Sequence, residues 1–396
     1  MSMRLLIVSA ICLVALSALI SLSRESAGTF AEAQTIAEDI ADFNELKNRF
    51  QELSHDTTAV YGFEILRRAT LPPHTDVHLL GHAIGEVLYE QRGIDGIADC
   101  TQDFRNACSH AIVIGALHEF GEAALPMIKN ACAKAPGGSG AYTMCYHGFG
   151  HGVFAYFNYD LVETIGFCTR TGTSEYRDRE SIECVGGAIM ELMGGGGHNH
   201  AAWVLAREKY LDPQDPLAPC TDAVVPDSMK SICVLYLTPR LWELAGIDMG
   251  QPDPADFQKA FRYCNAIPKD QRELRNACYG GFGKEFYPLV AARDVRDASE
   301  YSDAQLATVV EWCGAALVTD GKQACIGDAV ASAFWGGEKD SASSLRLCGA
   351  AESDSEMRIG CYEQLAANIE QYTVAPRRDE LCAQIPEEFR TACLKE

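Results

Sequence analysis

Sixteen cysteines arranged as eight couples set the strongest limit on what this chain can fold into. The couples are Cys100 with Cys108, Cys132 with Cys145, Cys168 with Cys184, Cys220 with Cys233, Cys264 with Cys278, Cys313 with Cys325, Cys348 with Cys361, and Cys382 with Cys393. Within a couple 7 to 15 residues intervene, between couples 20 to 35, and the second cysteine recurs every 32 to 49 residues. A period of that length, held from Cys100 to Cys393, marks an array of similar supersecondary units.

The text between couples identifies the unit. From Cys108 to Cys132 the apolar residues fall at helical spacing, break near Gly121, and resume in a second short amphipathic piece. The gaps after Cys145, Cys325 and Cys361 have the same shape, so each unit reads as a pair of helices. The segments 194–200, 211–219, 246–256 and 295–303 are rich in Gly, Pro, Asp and Ser and read as loops. The first cysteine of each couple then closes a helix and the second opens the next unit. A bridge between them staples consecutive hairpins, contributing about 3 kcal/mol each by the chain-entropy argument.

The spacing suits neither zinc ribbons nor thioredoxin-like redox sites, and no C-x-x-C-H haem attachment motif occurs. Seventeen cysteines fit an oxidising compartment, and the chain carries its own export signal. Leu5 to Leu22 is uncharged, flanked by Arg4 and Arg24, and long enough to span a bilayer. Residues 1–25 therefore read as a signal-anchor whose partner is the membrane, with Arg4 favouring a cytoplasmic N-terminus. The remainder is extracytoplasmic, on the periplasmic or extracellular face. Cleavage near Ser26-Ala27-Gly28 or Ala31-Glu32-Ala33 would instead make it secreted.

Residues 26–56 follow as an amphipathic linker or capping helix, with Ile36, Ile40, Phe43, Leu46, Phe50 and Leu53 on one stripe. The predicted fold is all-α: a disulfide-stapled array of helical hairpins after an N-terminal transmembrane helix. In architecture it resembles the Sel1-like and tetratricopeptide α-solenoids. Their consensus residues are not legible here, so the resemblance implies nothing about function. A net charge of −22 repels phosphate backbones and excludes nucleic acid as a natural partner.

Histidine divides the array into a histidine-bearing half, 57–220, and a second half, 221–396, since no histidine follows His200. Cys145 is followed at the second and sixth positions by His147 and His151, and Cys108 at the second by His110. One unit earlier, "DVHLLGHAIGE" repeats the pattern without a cysteine, with His78 and His82 in the same places. In the second half the second slot holds Leu235, Gly280, Gly327 and Glu363, and the sixth Pro239, Lys284, Ala331 and Ala367.

Residues four apart share a helix face, and first helices of stacked hairpins lie about 8 to 10 Å apart. His78, His82, His110, His147 and His151 are thus predicted to share one wall and to bind a transition metal, zinc, iron or copper. Glu86, Glu119 and Glu191 stand near its edges, and Glu86 and Glu191 are the candidate general bases of a metal-dependent enzyme. Two alternatives remain: a non-enzymatic scaffold that holds a peptide or protein partner in its groove, and noncovalent haem between units. Locally, each histidine is also explained by a hydrogen bond to a loop carbonyl, and Gly148, Gly150 and Gly152 by close helix packing. No G-x-S-x-G elbow, P-loop or dinucleotide-binding motif occurs.

Overall fold

A computed structural model of the chain describes residues 42–394, apart from 137, 196–198, 251, 297, 337–340 and 374. The proposed anchor at 1–25 and the start of the 26–56 segment lie outside the described residues, as does His198.

Regular structure is entirely helical, with no strand among the described residues. In chain order the α-helices are α1 (Phe43–Asp56), α2 (Ala59–Arg68), α3 (Val77–Arg92), α4 (Asp103–Phe120), α5 (Leu125–Cys132), α6 (Gly138–Tyr156) and α7 (Leu161–Cys168). They continue as α8 (Arg179–Gly194), α9 (His200–Tyr210), α10 (Lys230–Tyr236), α11 (Thr238–Ala245), α12 (Pro254–Ala266) and α13 (Arg272–Leu289). The last are α14 (Asp303–Gly314), α15 (Thr319–Gly336), α16 (Ser341–Ala350), α17 (Ser355–Tyr372), α18 (Arg377–Cys382) and α19 (Glu387–Cys393).

Local chemistry sets many of these starts. The side chains of Asp42, Thr58, Asp76, Asp160, Asn199, Asp253, Ser302 and Asp354 each accept a hydrogen bond from a first-turn backbone N–H. Pro239 cannot continue a helix begun at Cys233, and α10 stops at Tyr236 before α11 restarts with Pro239 in its first turn.

The helices that carry the second cysteines, α4, α6, α8, α10, α13, α15, α17 and α19, pack one against the next in that order, and α3 precedes them against α4. All eight neighbouring couples are bridged, with Cα–Cα distances of 5.4 to 5.7 Å. Most second cysteines lie one to two turns inside their helix rather than at its start, because polar residues ahead of them already form the first turn. One contiguous apolar core runs from Leu46 to Cys393 across the 220/221 boundary. Leu46 and Phe50 of α1 are buried where that helix packs on α2 and α3.

Side-chain contacts also join helices of the first half of the chain to the second. Arg296 donates to the carbonyl of Leu66 at 3.1 Å and to that of Ala69, Arg105 donates to Ser332 Oγ at 2.8 Å, and the Arg179 guanidinium lies 5.6 Å from the Tyr372 ring. By length and composition, the stretch Asp103–Cys132 is apolar enough to cross a membrane. It is nevertheless broken at Gly121 (φ 59°), and Ile112, Val113, Ala116 and Leu117 are core residues that account for its apolarity.

Candidate metal centre

α3 presents His78 and His82 one turn apart, with their Nε2 atoms 3.1 Å from each other. Ligand nitrogens on a tetrahedral zinc with bonds of 2.0–2.1 Å stand about 3.3 Å apart, so this pair already has ligand spacing. His78 Nδ1 lies 2.6 Å from the Phe104 carbonyl oxygen and donates to it, which leaves Nε2 as the lone-pair nitrogen.

The carbonyl is delivered by an unusual turn. Phe104, Arg105 and Asn106 have φ of 55°, 56° and 64°, left-handed conformations that cost roughly 1–2 kcal/mol per residue outside glycine. The Cys100–Cys108 bridge closes around that turn, and the buried Phe104 ring lies 6.0 Å from Phe63.

His110 on α4 is 1% exposed, its ring centre 5.4 Å from those of His78 and His82. The potential ligand atoms of these three histidines all lie within 4.8 Å of one another. Neither ring nitrogen of His110 makes a hydrogen bond of acceptable geometry. Gly148 on α6 makes room for it, since a Cβ there would collide with the His110 ring. α6 and α8 approach equally closely: a Cβ on Gly150 would strike the Cys184 carbonyl, and one on Gly187 the His147 carbonyl.

α6 brings the remaining two imidazoles alongside. The His147 ring is 5.9 Å from His110 and 5.2 Å from His151, and the His151 ring is 6.3 Å from His82 and from His110. His151 Nδ1 lies 3.0 Å from Glu191 Oε2, and its buried Nε2 has no hydrogen-bond partner. His147 Nδ1 stands 3.4 Å from Glu183 Oε2, and neither of these buried atoms makes a hydrogen bond.

Burial favours the neutral, metal-binding form of His78, His110 and His147. It lowers the pKa of His78, with Asp76 and the Phe104 carbonyl opposing. His110 and His147 lie well below 6.5, chiefly through burial and then through neighbouring imidazoles; the Met144 carbonyl opposes the fall at His110. Glu183 is pushed up to about 7 by burial, with Arg179 opposing.

A cleft of about 410 Å³ borders His78, His82 and His151. It is also lined by Ile114, Met190, Pro239 and Lys284, the sixth residues after Cys108, Cys184, Cys233 and Cys278, the slot that His151 fills after Cys145. Glu86 lines it too; burial raises its pKa, with Lys47 opposing, and Gln51 donates to its Oε2 at 3.1 Å. Glu191 orients His151, while Glu119 lies exposed, away from the lining of the cleft, and accepts from Tyr89.

The other histidines stand apart. His118 is exposed, His55 faces Glu90 at 3.6 Å, His74 occupies a turn with φ 65°, and the His200 ring packs against Trp203. Sequence spacing alone did not reveal Glu183 or Tyr236, whose ring lies 4.9 Å from His147. Lys284 did carry a signal, because it fills the slot of His151. No family of known proteins matches this chain, and no curated protein or solved structure matches it either.

Proposed function

We propose that this chain is an exported, membrane-anchored α-solenoid that binds a transition metal, zinc, iron or copper, and acts as a metal-dependent enzyme on a small molecule in the cleft. His78, His82 and His110 hold the ion, and His147 and His151 extend the imidazole wall behind them. Eight disulfides support the extracytoplasmic setting.

His110 carries the proposal. A hydrogen bond between His82 and His78 explains that pair without metal, whereas at His110 the Met144 carbonyl acts on the ring but neither ring nitrogen meets an acceptor with hydrogen-bond geometry. An unpaired polar group in such a place costs about 1–3 kcal/mol, a penalty that coordination removes. The donor set also fits: three imidazoles, with burial favouring the neutral form of His78 and His110, suit zinc, iron or copper better than calcium or magnesium.

When bound, the ion supplies a Lewis acid or redox centre. The protein's part is to hold it, with the Phe104 carbonyl fixing the His78 tautomer and Glu191 fixing that of His151. Glu86, beside His78 and His82 on the cleft, is placed to accept a proton from a molecule bound there.

Metal analysis and melting of the oxidised full-length protein test this. Wild type should retain stoichiometric metal, and saturating zinc should raise its melting temperature, by about 2.7 kcal/mol of added stability at a hundredfold excess over Kd. His110→Leu should abolish both effects while leaving the metal-free protein at least as stable as metal-free wild type. A wild type that takes up no zinc, iron or copper defeats the proposal and leaves a scaffold.

A further inference from the structure

The lining of the cleft holds two unlike sets of side chains, His78, His82 and His151 in one and Lys284, Glu285 and Arg293 in the other. In a chain of net charge −22, two cations gathered in one cleft need a reason. Glu285 faces both: it pairs with Lys284 through Oε1, and Arg293 Nη2 stands 3.7 Å from Oε2. Burial raises the Glu285 pKa, but Lys284 and Arg293 outweigh it and bring the group down to about 2, so it stays ionised.

One carboxylate does not neutralise two cations. Arg105 adds a third positive charge acting on Glu285, and its buried Nε has no hydrogen-bond partner. Asp328, which also interacts with Lys284, is pushed up to about 7 by burial with Lys284 opposing, so at neutral pH it supplies part of a charge. Lys284 and Arg293 thus keep a local positive excess over Glu285, while Asp76, Glu86 and Glu191 line the same cleft.

Both cations are placed. Lys284 Nζ sits 4.7 Å from the centre of the Tyr236 ring, and the Lys284 side chain is only 16% exposed. Arg293 is more open, at 37%, and projects from a left-handed turn in which Ala292 and Arg293 have φ of 51° and 65°. Residues in such conformations cost roughly 1–3 kcal/mol each. The same cleft is lined by the apolar side chains of Ile114, Met190 and Pro239.

The geometry points to a carboxylate subsite: Lys284 and Arg293 hold the charged end of a small organic acid with an apolar body, and its far end faces His78 and His82. What the far end meets rests on the metal-centre proposal above. A carboxylate suits these two cations better than a phosphate does. Its two oxygens match the arginine fork, whereas a dianion would meet Glu86, Glu191 and Glu285 around the same cleft.

Calorimetric titration of the oxidised, zinc-treated full-length protein tests the subsite, with metal content measured in parallel. The probes are hexanoate, its uncharged amide hexanamide, and inorganic phosphate. Hexanoate should bind saturably, and the amide and phosphate at least tenfold more weakly. Arg293→Gln should weaken hexanoate about tenfold, equivalent to about 1.4 kcal/mol, without changing metal content. Glu285→Gln, which removes the competing carboxylate, should strengthen hexanoate binding severalfold. No saturable hexanoate binding, equal binding of acid and amide, or an Arg293→Gln protein that binds like wild type overturns the subsite. Hexanoate binding that depends on Arg293 in a protein that takes up no zinc upholds the subsite and overturns the metal centre instead.

Discussion

The helices α6 and α13 are two versions of one phrase, Cys145-Tyr-His-Gly-Phe-Gly-His151 and Cys278-Tyr-Gly-Gly-Phe-Gly-Lys284. What they share is packing. Tyr146 and Tyr279, and Phe149 and Phe282, are fully buried, and Gly150 and Gly283 each make room for the carbonyl of the next unit's second cysteine, Cys184 or Cys325. What differs is the second and sixth positions after the cysteine, where His147 and His151 give way to Gly280 and Lys284; His151 and Lys284 both line the cleft. Cysteine, aromatic and glycine positions build the unit, and the second and sixth slots after the cysteine carry its chemistry. α6 fills those slots with imidazoles, and α13 puts a lysine among ion pairs.

Removing one bridge from each half is the hardest test of that separation. The Cys132–Cys145 and Cys313–Cys325 bridges span 13 and 12 residues, so loop entropy predicts nearly equal losses. Replacing either pair with alanine should cost about 2–5 kcal/mol, read from melting under oxidising conditions. Only the first should also reduce metal content, because α6 carries His147, His151 and the glycine that seats His110. Equal loss of metal from both variants would mean the halves act as one unit.

A smaller effect should change sign between the halves. Gly148→Ala drives a methyl into the His110 ring and should cost about 1–3 kcal/mol while weakening metal binding. Gly327→Ala, on α15, meets nothing closer than Gln364 Cβ at 3.5 Å, so it should gain roughly 0.5–1 kcal/mol from helix propensity and leave metal unchanged. Paired melting and metal measurements check both. Destabilisation by both would show that glycine serves helix approach throughout and has no special link to the histidines.

Much of this plan is legible in the sequence because it depends on spacing. Cysteine period gives the unit and each bridge, and helical geometry puts His78 beside His82 and His147 beside His151. The alignment of His110 with His147 needs only the repeat register. The turn at Phe104–Asn106 is not legible, since no glycine marks its left-handed conformations and its strain is offset by contacts distant in sequence, such as Arg105 with Ser332. Nor does spacing show which helices distant in sequence share a cleft. Lys284 is assigned its slot by counting, but its place in the same cleft as His78, His82 and His151 comes from tertiary packing between distant helices.

Acidity separates the halves most gently. His78, His110 and His147 have folded pKa values below their ordinary 6.5 because of burial, so the unfolded chain takes up protons there that the folded chain resists. Their contribution to stability is complete above about pH 6.5 and falls as the solution is acidified, by up to about 1.4 kcal/mol per pH unit for each proton. Asp328 in the C-terminal half works the other way. Its folded pKa is about 7, raised from 3.8 by burial, so its contribution is complete below about pH 4 and is lost as the pH rises to 7. Glu183, raised to about 7 from 4.5, adds the same trend within the N-terminal half and blunts its acid response. In metal-free protein melted between about pH 5 and pH 8, His110→Leu should therefore flatten the acid limb and Asp328→Asn the neutral limb. A pH profile that neither substitution alters would show that burial does not hold these groups neutral, and would remove the electrostatic contrast between the two halves.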